Sequence, residues 1–79
     1  MSPAEAQEVK TFLLHSHDTY RQLAERHHEL DNRLHELTGR HYLSTSEQVE
    51  EVTLKKKKLA LKDQMERIAR EFARTHADS

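Results

Sequence analysis

Seven histidines and a run of four lysines are the side chains of this chain whose types could do chemistry. Neutral imidazole binds metal and moves protons near neutral pH, so histidine spacing is the first thing to test. His27 and His28 are neighbours, which places them about a quarter-turn apart on a helix. No two histidines stand at the i,i+4 spacing of a helical zinc site. The segment "HELDNRLH" (28–35) begins like a metalloprotease helix but carries Asn32 where the second histidine belongs. His27 and Asp31 are an i,i+4 pair able to chelate, yet two ligands without a third do not make a site. Cysteine is absent, so thiolate chemistry and disulfides are excluded. No glycine-rich phosphate loop is present, and no nucleophile stands beside a base. The expectation is a protein that is not an enzyme, with no catalytic residue, no cofactor, no metal and no small-molecule substrate.

The lysines raise a different chemistry. In "LKKKKLALKD" (54–63), Lys55 to Lys58 and Lys62 concentrate positive charge in a chain whose formal net charge is −1. That overall balance argues against bulk attraction to nucleic acid. Four consecutive helical lysines fan through about 300°, so they form no single flat patch, and no aromatic interleaves with them for base stacking. A mostly solvated run is the plainer reading. RNA or a ribosomal surface is the alternative partner, held by loose lysine contacts in place of bidentate arginine ones.

Whatever these side chains do, helices must position them. The single proline and single glycine sit at helix boundaries. Ser2-Pro3-Ala4-Glu5 reads as an N-cap, a proline in the first turn and a capping-box glutamate. Nothing from there to Thr38 breaks a helix by composition, and Gly39 is placed to take the left-handed conformation that ends one. Ser44-Thr45-Ser46-Glu47 is a second capping box. The expected layout is one domain over 1–79: a helix over about 3–38, a turn at 39–44 and a helix over about 45–75. Glu47, Glu50 and Glu51 early in the second helix and Arg67, Arg70 and Arg74 late in it suit the macrodipole. Glu29/Arg33, Glu36/Arg40, Glu51/Lys55 and Glu66/Arg70 stand at the spacing of i,i+4 ion pairs.

The apolar spacing agrees. Val9, Leu13, Ser16, Tyr20, Leu23, His27, Leu30, Leu34 and Leu37 alternate steps of four and three, and so do Leu54, Lys58, Leu61, Met65, Ile68 and Phe72. A short turn forces an antiparallel return, in which the numbers of facing residues add to a constant. Leu30 with Leu54, Leu23 with Leu61, Tyr20 with Met65, Ser16 with Ile68 and Leu13 with Phe72 all add to 84 or 85. The predicted fold is therefore all-α, an antiparallel two-helix hairpin of coiled-coil type. In this register Lys58 faces His27, and Asp31 lies one turn on, near Lys55. His27, Asp31 and Lys58 are read as a polar layer that pins the register of an otherwise apolar seam.

Val49, Val52 and Leu59 lie off that seam, and Phe12 and Leu14 flank it. Two helices cannot cover both sides of each other, so these residues need a partner or remain exposed. Pairing of two hairpins into a four-helix bundle is the simplest cover. The longest apolar run is Phe12-Leu13-Leu14, far too short for a membrane span, and "MSPAEAQEVK" lacks the pattern of a secretory signal. A cytoplasmic location without membrane contact is expected.

"RHHELDNRL" (26–34) together with "LKKKKLALKDQMERI" (54–68) resembles the YdcH-like family of small bacterial proteins, a domain of unknown function. His27, Leu30 and Asp31 match its first motif. Leu54, Lys55, Lys56, Lys58, Leu59, Leu61, Lys62 and Asp63 match its second. The resemblance implies a helical hairpin of the bacterial cytoplasm and no established activity. Its motif includes Leu59, which the seam leaves outside. Two patterns are thus overlaid: Leu54, Lys58 and Leu61 close the hairpin, while Lys56, Leu59, Lys62 and Asp63 face outward. With Val52, these four form the expected interaction surface, for a second copy of the chain or for another protein.

Overall fold

A computed structural model describes residues 2–76 of the chain, and these are all-helical apart from short connections. Three helices follow one another: α1 (Pro3–Ser16), α2 (Asp18–Thr38) and α3 (Thr45–His76). The expectation of one helix over 3–38 is corrected at His17, whose backbone is extended (φ −120°, ψ 106°). His17 ends α1 by donating its amide to the Leu13 carbonyl at 2.9 Å. It also starts α2, because its Nδ1 accepts the Tyr20 amide at 3.0 Å. An imidazole thus plays the part usually taken by Ser, Asp or Asn. The flanking residues explain why the break falls here. Ser16, His17, Asp18 and Thr19 are all weak helix formers, and the short polar side chains of Ser16, Asp18 and Thr19 compete for backbone groups.

The break leaves Ser16 as the last residue of α1. Its side chain is exposed and its hydroxyl donates to the Phe12 carbonyl within α1 at 2.7 Å. Helix α1 packs through Leu13, which is 1% exposed, into a cluster with Tyr20 and Ala69. Val9, Met65, Ile68 and Phe72 close over that cluster, and the Phe12 and Phe72 rings meet at 5.3 Å. A second cluster joins Leu30, Leu34 and Leu37 of α2 to Leu54 of α3, with Leu43 and Leu61 against it. The apolar core therefore comes in two parts along α3, one shared with α2 alone and one with α1 and the start of α2.

The turn between α2 and α3 is held by local chemistry. Ser44 and Glu47 form a complete reciprocal box: the Glu47 amide donates to the Ser44 hydroxyl at 3.2 Å, and the Ser44 amide to the Glu47 carboxylate at 3.0 Å. The Ser44 backbone N–H is the main reason the Glu47 carboxyl lies below its usual range. Gly39 caps α2 in a right-handed conformation (φ −78°, ψ −7°), not the left-handed one expected. No described residue adopts a positive φ.

Candidate interaction surface

The polar positions of the seam sort themselves by charge. Lys58 on α3 donates a hydrogen bond to Asp31 on α2, and that bond is the main cause of the lowered Asp31 carboxyl pKa. His27 is half-buried on α2, where it lines a shallow groove with Lys58, Lys62 and Tyr20. Lys55 stays outside this arrangement and reaches Glu51 on its own helix at 3.4 Å. Asp31 is also 3.9 Å from the His35 imidazole.

Stronger cross-helix pairing lies nearer the turn. Arg33 grips Glu50 with two hydrogen bonds, each 2.8 Å, and Arg40, in the turn, pairs with Glu47 at the start of α3. Of the i,i+4 pairs expected along the helices, Glu51/Lys55 forms, while the others lose to different partners. Glu29 pairs with Arg26, Glu36 with Arg33, and Glu66 with Lys10 of α1 at 3.0 Å. Two aligned helices offer a carboxylate more than one cation, and the sequence spacing alone does not rank them.

The outward residues remain uncovered. Val49, Val52 and Leu59 are 62%, 51% and 61% exposed, and Phe12 and Leu14 of α1 are also exposed. At 100° per residue, Val49, Val52, Lys56, Leu59 and Asp63 form a stripe roughly 180° around α3 from Leu54, Lys58, Leu61, Met65 and Ile68. So α3 carries one apolar face toward α1 and α2 and a second, sparser one away from them. Lys56, Lys62 and Asp63 are exposed beside this second face. Lys62 stands on its flank, where the stripe meets the edge of α2.

That flank holds a feature the sequence reading missed. Between α2 and α3 runs a groove of about 450 Å³, lined by Leu34 and Leu59 and edged by Lys55, Lys58, Lys62 and Asp31. Lys55, Lys58 and Lys62 are spaced by three and four, so they share one side of α3 even though the full run fans around it. The spacing is visible in the sequence. Its meaning depends on knowing that Leu34, His35 and Thr38 of α2 supply the opposite wall.

Among the described residues no cluster of three His, Asp or Glu side chains converges on a point where a metal could sit. No helix among them is long and apolar enough to cross a membrane. Residues 21–69 match the family described as "Protein of unknown function (DUF465)", a span covering most of α2, the turn and most of α3 and leaving out α1. No curated protein and no solved structure matches the chain.

Proposed function

The chain belongs to the DUF465 family of unknown function, and from that premise we propose that it is a non-enzymatic helical interaction module of the bacterial cytoplasm. In this reading α2 and α3 form the coiled-coil-like hairpin implied by the YdcH-like resemblance, and the outer stripe of α3 is the surface it offers. The observation that carries the reading is the pair of opposed apolar faces on α3. One is filled by Leu54 and its neighbours, and the other exposes Val49, Val52 and Leu59. An apolar face left open on a folded helix is the usual mark of a docking surface. Val52 and Leu59 form its centre, and Lys56, Lys62 and Asp63 its rim. The occupant is a second copy, giving a four-helix bundle, or a surface of a larger assembly.

Solution mass by light-scattering chromatography, at low and high salt, tests this directly. A salt-insensitive dimer that Leu59→Glu splits supports self-association. A monomer whose capture on a partner is abolished by the same substitution supports docking. Capture and mass both indifferent to Leu59→Glu overturn the reading.

A second reading rests on the exposed Lys56, Lys57 and Lys62, which carry no ion-pair partner among the described residues. They suit association with RNA or the ribosome. Binding would then fall steeply with salt, and the slope would flatten when Lys55, Lys56 and Lys57 become Gln. Salt-independent binding sinks this reading.

A further inference from the structure

We propose that the groove between α2 and α3 binds an acidic amphipathic helix of a partner protein, with leucine-like side chains on Leu34 and Leu59 and carboxylates on Lys55 and Lys62. This rests on the interaction reading above and names the partner's chemistry.

Three observations carry it. The first is shape. The walls run from Asp31 to Thr38 on α2 and from Lys55 to Lys62 on α3, each about 10 Å or two helical turns long. A trough between two antiparallel helices is a ready seat for a third helix, whose i, i+3, i+4 and i+7 side chains enter it. The second is charge. Three lysines against Asp31 alone leave two excess positive charges around the groove when its histidine is neutral. Lys58 is already committed to Asp31, and Lys55 is shared with Glu51. Lys62 has no ion-pair partner among the described residues, so Lys62 and Lys55 are the cations within reach of an incoming carboxylate. The third is the floor. Leu34 is buried, but Leu59 is 61% exposed. Phosphate-backbone binding has no use for that apolar centre, and no Phe, Tyr or Trp lines the groove for base stacking.

Charge also argues against a second copy on this side. A two-fold axis crossing α3 near Lys56, midway between the exposed Val52 and Leu59, would set Lys55 to Lys57 of one copy against the same lysines of the other. Like charges so placed oppose association, whereas a glutamate-flanked partner converts them into attraction.

The test is charge exchange. The probe is a labelled three-heptad helical peptide with leucines on one face flanked by glutamates, compared with the same peptide flanked by lysines. Fluorescence anisotropy is read against the wild type and against Lys55→Glu/Lys62→Glu. We expect the double variant to bind the glutamate peptide about tenfold more weakly and to prefer the lysine peptide, since rim charges select partners by sign. Lys55→Gln/Lys62→Gln, checked for helix content by circular dichroism, gives a smaller loss if the glutamate variant misfolds. Exchange of α2 and α3 amide resonances at Leu34, His35 and Leu59 on peptide addition locates the site. The proposal is overturned if preference does not reverse with charge, or if the peptide perturbs α1 and not the groove. It is also overturned if polyuridine competes the peptide off at equal concentration. Failure of the exchange while Leu59→Glu still alters mass or capture overturns the acidic partner alone. Indifference to Leu59→Glu in every assay removes the interaction reading with it.

Discussion

The guanidinium of Arg33 and the carboxylate of Glu50 meet face to face across α2 and α3, with Nε and Nη2 each 2.8 Å from a different carboxylate oxygen. Both side chains are about one-third exposed. A fork-to-fork pair fixes two helices in rotation as well as distance, which a single lysine contact does not do. Arg33 reaches Glu36 as well, at 3.0 Å, so one cation is shared between the seam and its own helix.

This pair makes stability depend on pH in a definite direction. The hydrogen bonds from Arg33 hold the folded Glu50 carboxyl below its ordinary value of 4.5. A depressed folded-state carboxyl stabilises the fold above its unfolded value, and the contribution disappears as pH falls through the depressed one. Glu50→Gln should lower the melting temperature by a few degrees at neutral pH. The gap to wild type should stay constant down to about pH 6 and close below about pH 4, as expected for a carboxylate. Thermal circular dichroism on both proteins across that range reads it, and a gap that persists in acid would show that Glu50 acts by packing.

At the α1–α2 junction, His17→Ala should cost about 1 kcal/mol by removing the acceptor for the Tyr20 amide. For a domain of this size that corresponds to roughly 4–8 °C in melting temperature. His17→Asn should recover most of the loss, because its carboxamide oxygen can accept the same bond. Equal melting temperatures for Ala and Asn would show that the cap contributes nothing.

The polar layer separates specificity from stability. His27 makes no hydrogen bond to another described residue, whereas Lys58 and Asp31 hold each other. His27→Leu should therefore preserve or raise the melting temperature. Leu37→Ala, at a site fully shielded from solvent, should cost about 2–5 kcal/mol. A large loss from His27→Leu would mean the imidazole holds the layer together.

The seam was legible because it repeats. Leu30 against Leu54 and Tyr20 against Met65 follow from spacing plus a short turn, and each pair shares a cluster in the structure. The Ser44/Glu47 box was legible because both partners lie within one turn of helix. His17 was not, since imidazole is an uncommon cap and neither proline nor glycine marks the spot. The destination of Glu66 was hidden for another reason. Its choice of Lys10 over Arg70 depends on where α1 lies after the break. The outer stripe could be read as a surface, but the groove beside it needed the wall of α2. Ordered neighbours, more than residue type, made the difference.

The ion pairs that join α2 and the turn to α3 are nested, with Arg40/Glu47, Arg33/Glu50 and Asp31/Lys58 separated by 7, 17 and 27 residues. Chain-closure entropy grows only as the logarithm of loop length. Once the innermost pair has formed, each next one closes an increment of less than about 1 kcal/mol. The two helices can therefore zip outward from the turn, each contact shortening the effective loop for the next. α1 packs on Tyr20 of α2 and on the far end of α3, and its contacts with α3, such as Lys10 with Glu66, close the longest loops. The nesting predicts a fast-closing pair of helices whose contacts with α1 across the longest loops form last.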